Sequence, residues 1–125
     1  MTPAAVRKLI QPLAGAAFAV GAIMVVALSL LPQDIAPHVD VGDKVQHLIA
    51  YLCLALAGGI AFPDRRFLLA LGVGLIALGV SLEIAQAFLP GRFASISDVA
   101  ANTLGVAVGL AIARLVPTVV DNDSL

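Results

Sequence analysis

Long apolar runs alternate with short polar clusters along this chain, and the runs are of membrane-spanning length. From Leu13 to Leu31 there are nineteen residues without a charge. As a helix, such a run extends about 28 Å, close to the hydrocarbon thickness of a bilayer. Arg7 and Lys8 precede it, as basic residues precede a secretory signal. The apolar core of a signal is only about 7–15 residues, however, so a retained transmembrane helix is expected. It covers about residues 10–31 and is stopped by Pro32. Three further apolar stretches, about 44–62, 67–89 and 98–116, are parted by Pro63-Asp64-Arg65-Arg66 and by Pro90-Gly91. The expectation is an all-α, integral membrane four-helix bundle forming one domain over residues 1–125.

The polar positions gather at helix starts and ends. The loop from Pro32 to Gly42 carries Asp34, His38 and Asp40 around Pro37. Asp43 can cap the second helix, with Gln46 as its reciprocal partner. Asp43, Lys44, His47 and Tyr51 recur at i+3 and i+4 and form one stripe on its first turns. Gly72, Gly79, Glu83 and Gln86 share a face of the third helix. Ser95 and Asp98 fit a capping box for the fourth. Asp98, Asn102, Gly105 and Gly109 fall on one face of it, and Gly105–Gly109 is a GxxxG element inviting close backbone approach. The Asp43/His47 spacing reappears in Asp98/Asn102; chance and the general need for caps explain that better than duplication.

Composition narrows the class. The chain has 125 residues, 61% of them hydrophobic and 12% charged, about half the charged fraction of a soluble domain. A net charge of −1 argues against a nucleic-acid partner, which wants a basic patch. The single cysteine, Cys53, lies off the polar stripe and reads as a small apolar residue. Arg7, Lys8, Arg65, Arg66 and Arg114 fall at the N-terminus, the second loop and the C-terminal end, whereas the first and third loops hold Lys44 and Arg92. The positive-inside rule then puts both termini in the cytoplasm and the polar helix ends on the extracytoplasmic side. The polar tail 121–125 is expected to fray.

Convergence of these ends raises the question of a site. Taken singly, each residue has a structural explanation: Asp43 and Asp98 as caps, Glu83 paired with Lys44 or Arg92, and His47 bonded to a carboxylate. Taken as a set, intramembrane ionisable groups usually mark function. Glu83, seven residues before Pro90, is expected about 10 Å inside its helix end. His47 and Glu83 are the candidate catalytic pair, since an imidazole beside carboxylates can move protons. Asp43, Lys44, Tyr51, Gln86, Arg92, Asp98 and Asn102 are candidate ligand-binding residues, with Lys44 and Arg92 suited to a phosphate or carboxylate. The eight polar residues of these sets other than Tyr51 are expected to line one outward-open cavity, walled on one side by aliphatic side chains of the first helix. A metal held by His47, Glu83 and Asp98 is the least favoured chemistry, for want of ligand spacing. Neither a G-x-S-x-G elbow nor a phosphate-binding glycine loop is present, and no cofactor is indicated.

The ordered set Asp43-Lys44…His47…Tyr51, Glu83…Gln86 and Pro90-Gly91-Arg92…Ser97-Asp98…Asn102-Thr103…Gly105 resembles the VanZ-like family of small bacterial membrane proteins. The resemblance spans roughly Asp43 to Gly109. It implies a four-helix bundle in the bacterial inner membrane and a link to the cell envelope, because the family's namesake is associated with resistance to the glycopeptide teicoplanin. It implies no settled reaction, and whether the chain is an enzyme stays open. Two functions follow as expectations. One is a site for membrane lipid or a lipid-linked envelope precursor, with acid–base chemistry by His47 and Glu83. The other is a non-enzymatic binding or scaffold protein affecting envelope or glycopeptide access, motivated by the GxxxG element and the small size; a homo-oligomer is among the expected partners.

Overall fold

The computed structural model describes residues 2–36 and 42–116, apart from the side chains of residues 3, 4 and 7. The expected loop positions Pro37, His38 and Asp40 and the tail 121–125 lie outside the described residues. Four helices follow one another: α1 (Pro3–Leu30), α2 (Asp43–Ala61), α3 (Arg65–Gln86) and α4 (Ile96–Leu115). Each is long and apolar enough to cross a membrane. The chain is thus the expected all-α membrane bundle, and no strand occurs among the described residues.

Local chemistry sets the helix limits. α1 starts well before residue 10 because Thr2 Oγ1 accepts the Ala5 N–H at 3.2 Å and Pro3 follows at the first helical position. An oxygen-bearing N-cap followed by proline is a strong helix start. Pro12 lies inside α1 without ending it. α3 starts where the Asp64 carboxylate accepts the Arg66 N–H at 3.0 Å. It stops at Gln86, short of the expected 89, because the chain tightens into turns. The Phe88 N–H bonds to the Ala85 carbonyl and the Leu89 N–H to the Gln86 carbonyl. Pro90 disfavours helical backbone at the residue before it, and Gly91 takes φ +73°.

The closest helix pair is α2–α4. A Cβ at Gly105 would collide with the Leu48 carbonyl oxygen, and one at Gly109 with that of Leu52. Two backbones therefore meet along the GxxxG element, as expected for that motif. The core lies inside this pair and spreads to its neighbours: Tyr51, Leu54 and Ala55 of α2, Leu71 and Leu75 of α3, Val106 of α4. α1 is the outermost helix and packs Phe18, Ala22 and Val25 onto that core.

Candidate functional site

The antiparallel order brings four helix termini to one end: the C-termini of α1 and α3 and the N-termini of α2 and α4. Helix termini carry backbone groups without intrahelical partners, and here side chains of neighbouring helices meet them. Glu83, 5% exposed, accepts the backbone N–H of Ser95 at 2.7 Å. Ser95 is the N-cap of α4. Gln86 Nε2 donates to the Ser29 carbonyl at 3.1 Å. Arg92 donates from Nε to the Leu31 carbonyl at 3.1 Å and from Nη2 to that of Leu28 at 3.0 Å. Three polar residues from the end of α3 and its following loop thus complete α1 on one side and α4 on the other. The charges suit the helix dipoles: a carboxylate at an N-terminus, a guanidinium at a C-terminus.

These contacts revise several expected pairings. Glu83 bonds to a backbone N–H instead of Lys44 or Arg92, and it lies in the last turn of α3 because that helix ends at Gln86. In a capping box Asp98 would reach back to the Ser95 N–H; Glu83 has taken that donor across the helix gap. The Ser95 hydroxyl bonds to the Ser97 hydroxyl at 2.6 Å instead of capping α4. The N-cap of α2 is Gly42, with no side-chain bond, so Asp43 is the first residue of that helix, where its charge favours the dipole.

Asp98, released from capping, faces His47. His47 Nδ1 lies 3.0 Å from Asn102 Oδ1, and Nε2 lies 3.9 Å from Asp98 Oδ2. With the amide oxygen as acceptor, Nδ1 carries the hydrogen; a proton on Nε2 turns the approach to Asp98 into an ion pair. Asn102 is 2% exposed. It also borders α3, since a Cβ at Gly79 would stand 3.0 Å from its Nδ2 and 3.4 Å from the Tyr51 ring. Glu83 lies one turn beyond Gly79 on the same helix. His47, Asn102, Tyr51 and Glu83 therefore occupy one continuous polar region between α2, α3 and α4. Among the described residues, no three His, Cys, Asp or Glu side chains converge as a metal site would require.

Beside this region lies a cavity of about 530 Å³, within the range of about 300–1,000 Å³ usual for small-molecule sites. α2 contributes Asp43, Gln46, His47 and Tyr51 to its wall, and Gln86 and Arg92 close it from the α3 side. α1 adds Val25 and Leu28 together with Ser29, and Gln33 follows from the loop. Of the candidate residues, Asp43, His47, Tyr51, Gln86 and Arg92 are brought together on this wall. Lys44, Glu83, Asp98 and Asn102 are not on it: Lys44 is exposed, and the other three are engaged between helices. His47 and Tyr51 belong both to this wall and to the polar region between the helices. Sequence reasoning missed Ser29, Gln33 and Gln46 as wall residues. Ser29 and Gln33 are single polar residues at the margin of the first apolar run, and Gln46 reads as a capping residue instead.

A comparison with protein families matches residues 9–117 to VanZ/LLP1. No curated protein matches the chain, and no solved structure does.

Proposed function

The chain belongs to the VanZ/LLP1 family, and from that premise we propose that it is a bacterial inner-membrane protein whose cavity binds the headgroup of a cell-envelope lipid or lipid-linked precursor. The observation that carries this reading is the composition of the cavity wall. Arg92, Gln86 and His47 line it together with the aliphatic Val25 and Leu28 of α1. An amphiphile needs both surfaces together: donors for its head, hydrocarbon for the start of its chains. In this reading both termini are cytoplasmic and the cavity faces outward, as the distribution of arginine and lysine favours. Glu83 is a positioning residue that holds the start of α4.

The test is occlusion. Ala50 lines the cavity on α2 and takes no part in the polar contacts described. Ala50→Phe fills the space and leaves those contacts in place. Native mass spectrometry of the full chain, extracted in mild detergent, should show co-purified lipid on the parent and at least several-fold less on the variant. Equal lipid retention by both, at equal melting temperature, would sink the proposal.

Acid–base chemistry at His47 is a second reading, and one observation favours it. The imidazole borders the cavity and at the same time bonds to Asn102 and lies near Asp98, the arrangement of a group that can pass protons to a bound ligand. Glu83 is less suited to that role, because its carboxylate is spent on the Ser95 N–H.

A further inference from the structure

The cavity wall carries one fixed charge of each sign among its described residues: Arg92 and Asp43. The rest of its polar lining consists of neutral amides and hydroxyls, together with His47. Lys44, the cation next to Asp43, does not line it. A site built for an anion alone gathers cations, and a carboxylate on the wall would repel the incoming charge. The pair Arg92 and Asp43 instead matches a ligand bearing both charges.

Arg92 is fixed in place. Its bonds to the Leu28 and Leu31 carbonyls use two of the five guanidinium N–H donors and orient the plane of the group. A guanidinium held in this way loses little freedom on meeting a phosphate. Depth supports the same ligand. Phe88 and Phe93, on either side of Arg92 in the chain, are 84% and 87% exposed, and Ile96 is 90% exposed. Bulky apolar side chains standing out around an arginine belong where acyl chains meet headgroups. At that boundary a guanidinium near a helix end would stand within reach of lipid phosphates.

Resting on the headgroup reading above, we infer that the cavity selects a zwitterion of the phosphoethanolamine class. Its phosphate meets Arg92 and its primary ammonium meets Asp43. A primary ammonium donates three hydrogen bonds to a carboxylate and neutral amides, whereas a quaternary ammonium donates none. A phosphatidylglycerol head offers no cation to Asp43.

The discriminating experiment titrates the delipidated full chain, by native mass spectrometry, with phosphatidylethanolamine, phosphatidylcholine and phosphatidylglycerol of identical acyl chains. The parent should bind the ethanolamine lipid about tenfold more tightly than the other two, the effect of one charge-assisted contact. Asp43→Asn should abolish that preference without weakening phosphatidylglycerol binding. Arg92→Gln should weaken all three, and this counts only at an unchanged melting temperature because Arg92 also caps α1. Asp43 is exposed in the first turn of α2, so its variant carries the decision. Equal binding of the three lipids by the parent, with no change in Asp43→Asn, overturns the zwitterion and leaves the headgroup site standing. Absence of binding by every lipid overturns both. O-phosphoethanolamine distinguishes two sources of the same chemistry: displacement of the lipid at comparable concentration assigns the site to a soluble zwitterion, and failure to displace it in large excess assigns it to the lipid.

Discussion

Glu83 shows how a single buried charge is accommodated near the end of a membrane helix. A carboxylate in an apolar bundle needs donors, and the Ser95 N–H supplies one at 2.7 Å. That N–H stands at the start of α4, where the helix dipole adds its own attraction for negative charge. Glu83→Gln keeps the shape and an acceptor oxygen but removes the charge. It should cost about 1–2 kcal/mol, the difference between a charge-assisted and a neutral bond. Thermal melting in detergent checks this; an unshifted midpoint would show that the carboxylate charge contributes nothing to holding α4. Burial of Glu83 was legible in the sequence, because it shares a face of α3 with Gly72, Gly79 and Gln86, and all four are buried. Its partner was not legible. Side-chain patterns reveal candidate ion pairs, whereas an N-cap backbone N–H leaves no mark in the residue letters beyond the break in the helix. The same holds for Arg92, whose partners are the carbonyls of Leu28 and Leu31.

Among the elements, α2 and α4 form the axis on which α1 and α3 are laid. Their approach is limited by backbone atoms, which cannot rotate away as a side chain can. Gly105→Ala places a methyl group against the Leu48 carbonyl and should destabilise the bundle by about 1–3 kcal/mol. Gly74→Ala is the control, since a Cβ there has nothing within 4 Å. Melting of the two variants in one detergent should separate them; equal midpoints would mean that the helices simply slide apart to admit the methyl. The GxxxG spacing announced this contact, and the apolar runs announced every helix. The ends of α1 and α3 were less visible. Thr2-Pro3 was a usable start signal, outweighed by the charges at Arg7 and Lys8, and the turn at Ala87–Gly91 masqueraded as helix because Phe88 and Leu89 continue the apolar run.

For the whole molecule, the antiparallel order puts the cavity at the end opposite the Pro63–Arg66 connection. The basic residues of that connection favour the cytoplasm, so the cavity should open outward. In a Cys53→Ala background, a cysteine replacing the exposed Ala94 of the α3–α4 loop should react with an impermeant maleimide on intact cells, and one replacing the exposed Arg66 should react only after lysis. The reverse pattern would place the cavity at the cytoplasmic face and remove the envelope-facing part of the proposal. The fold was legible because hydrophobic length alone specifies membrane spans. The cavity was half legible: Asp43, His47, Tyr51, Gln86 and Arg92 line it, but Lys44, Glu83, Asp98 and Asn102 do not. Helical periodicity says which residues share a face. It does not say which side of that face meets a gap and which meets another helix.

The capping of one helix by another has a consequence for how the protein is made. The carbonyls at the end of α1 wait for Gln86 and Arg92, and the Leu28–Arg92 bond joins residues 64 positions apart. At the other end Gln11 reaches the Ala61 carbonyl, 50 positions on. Gln86 and Arg92 follow the end of α2 in the sequence, so α1 and α2 are translated before the residues that finish α1. Until then the last carbonyls of α1 lack the side-chain donors they have in the finished bundle. The first hairpin is a provisional arrangement, and the final seating of α1, with the cavity it walls, comes only after the chain has been translated past Arg92.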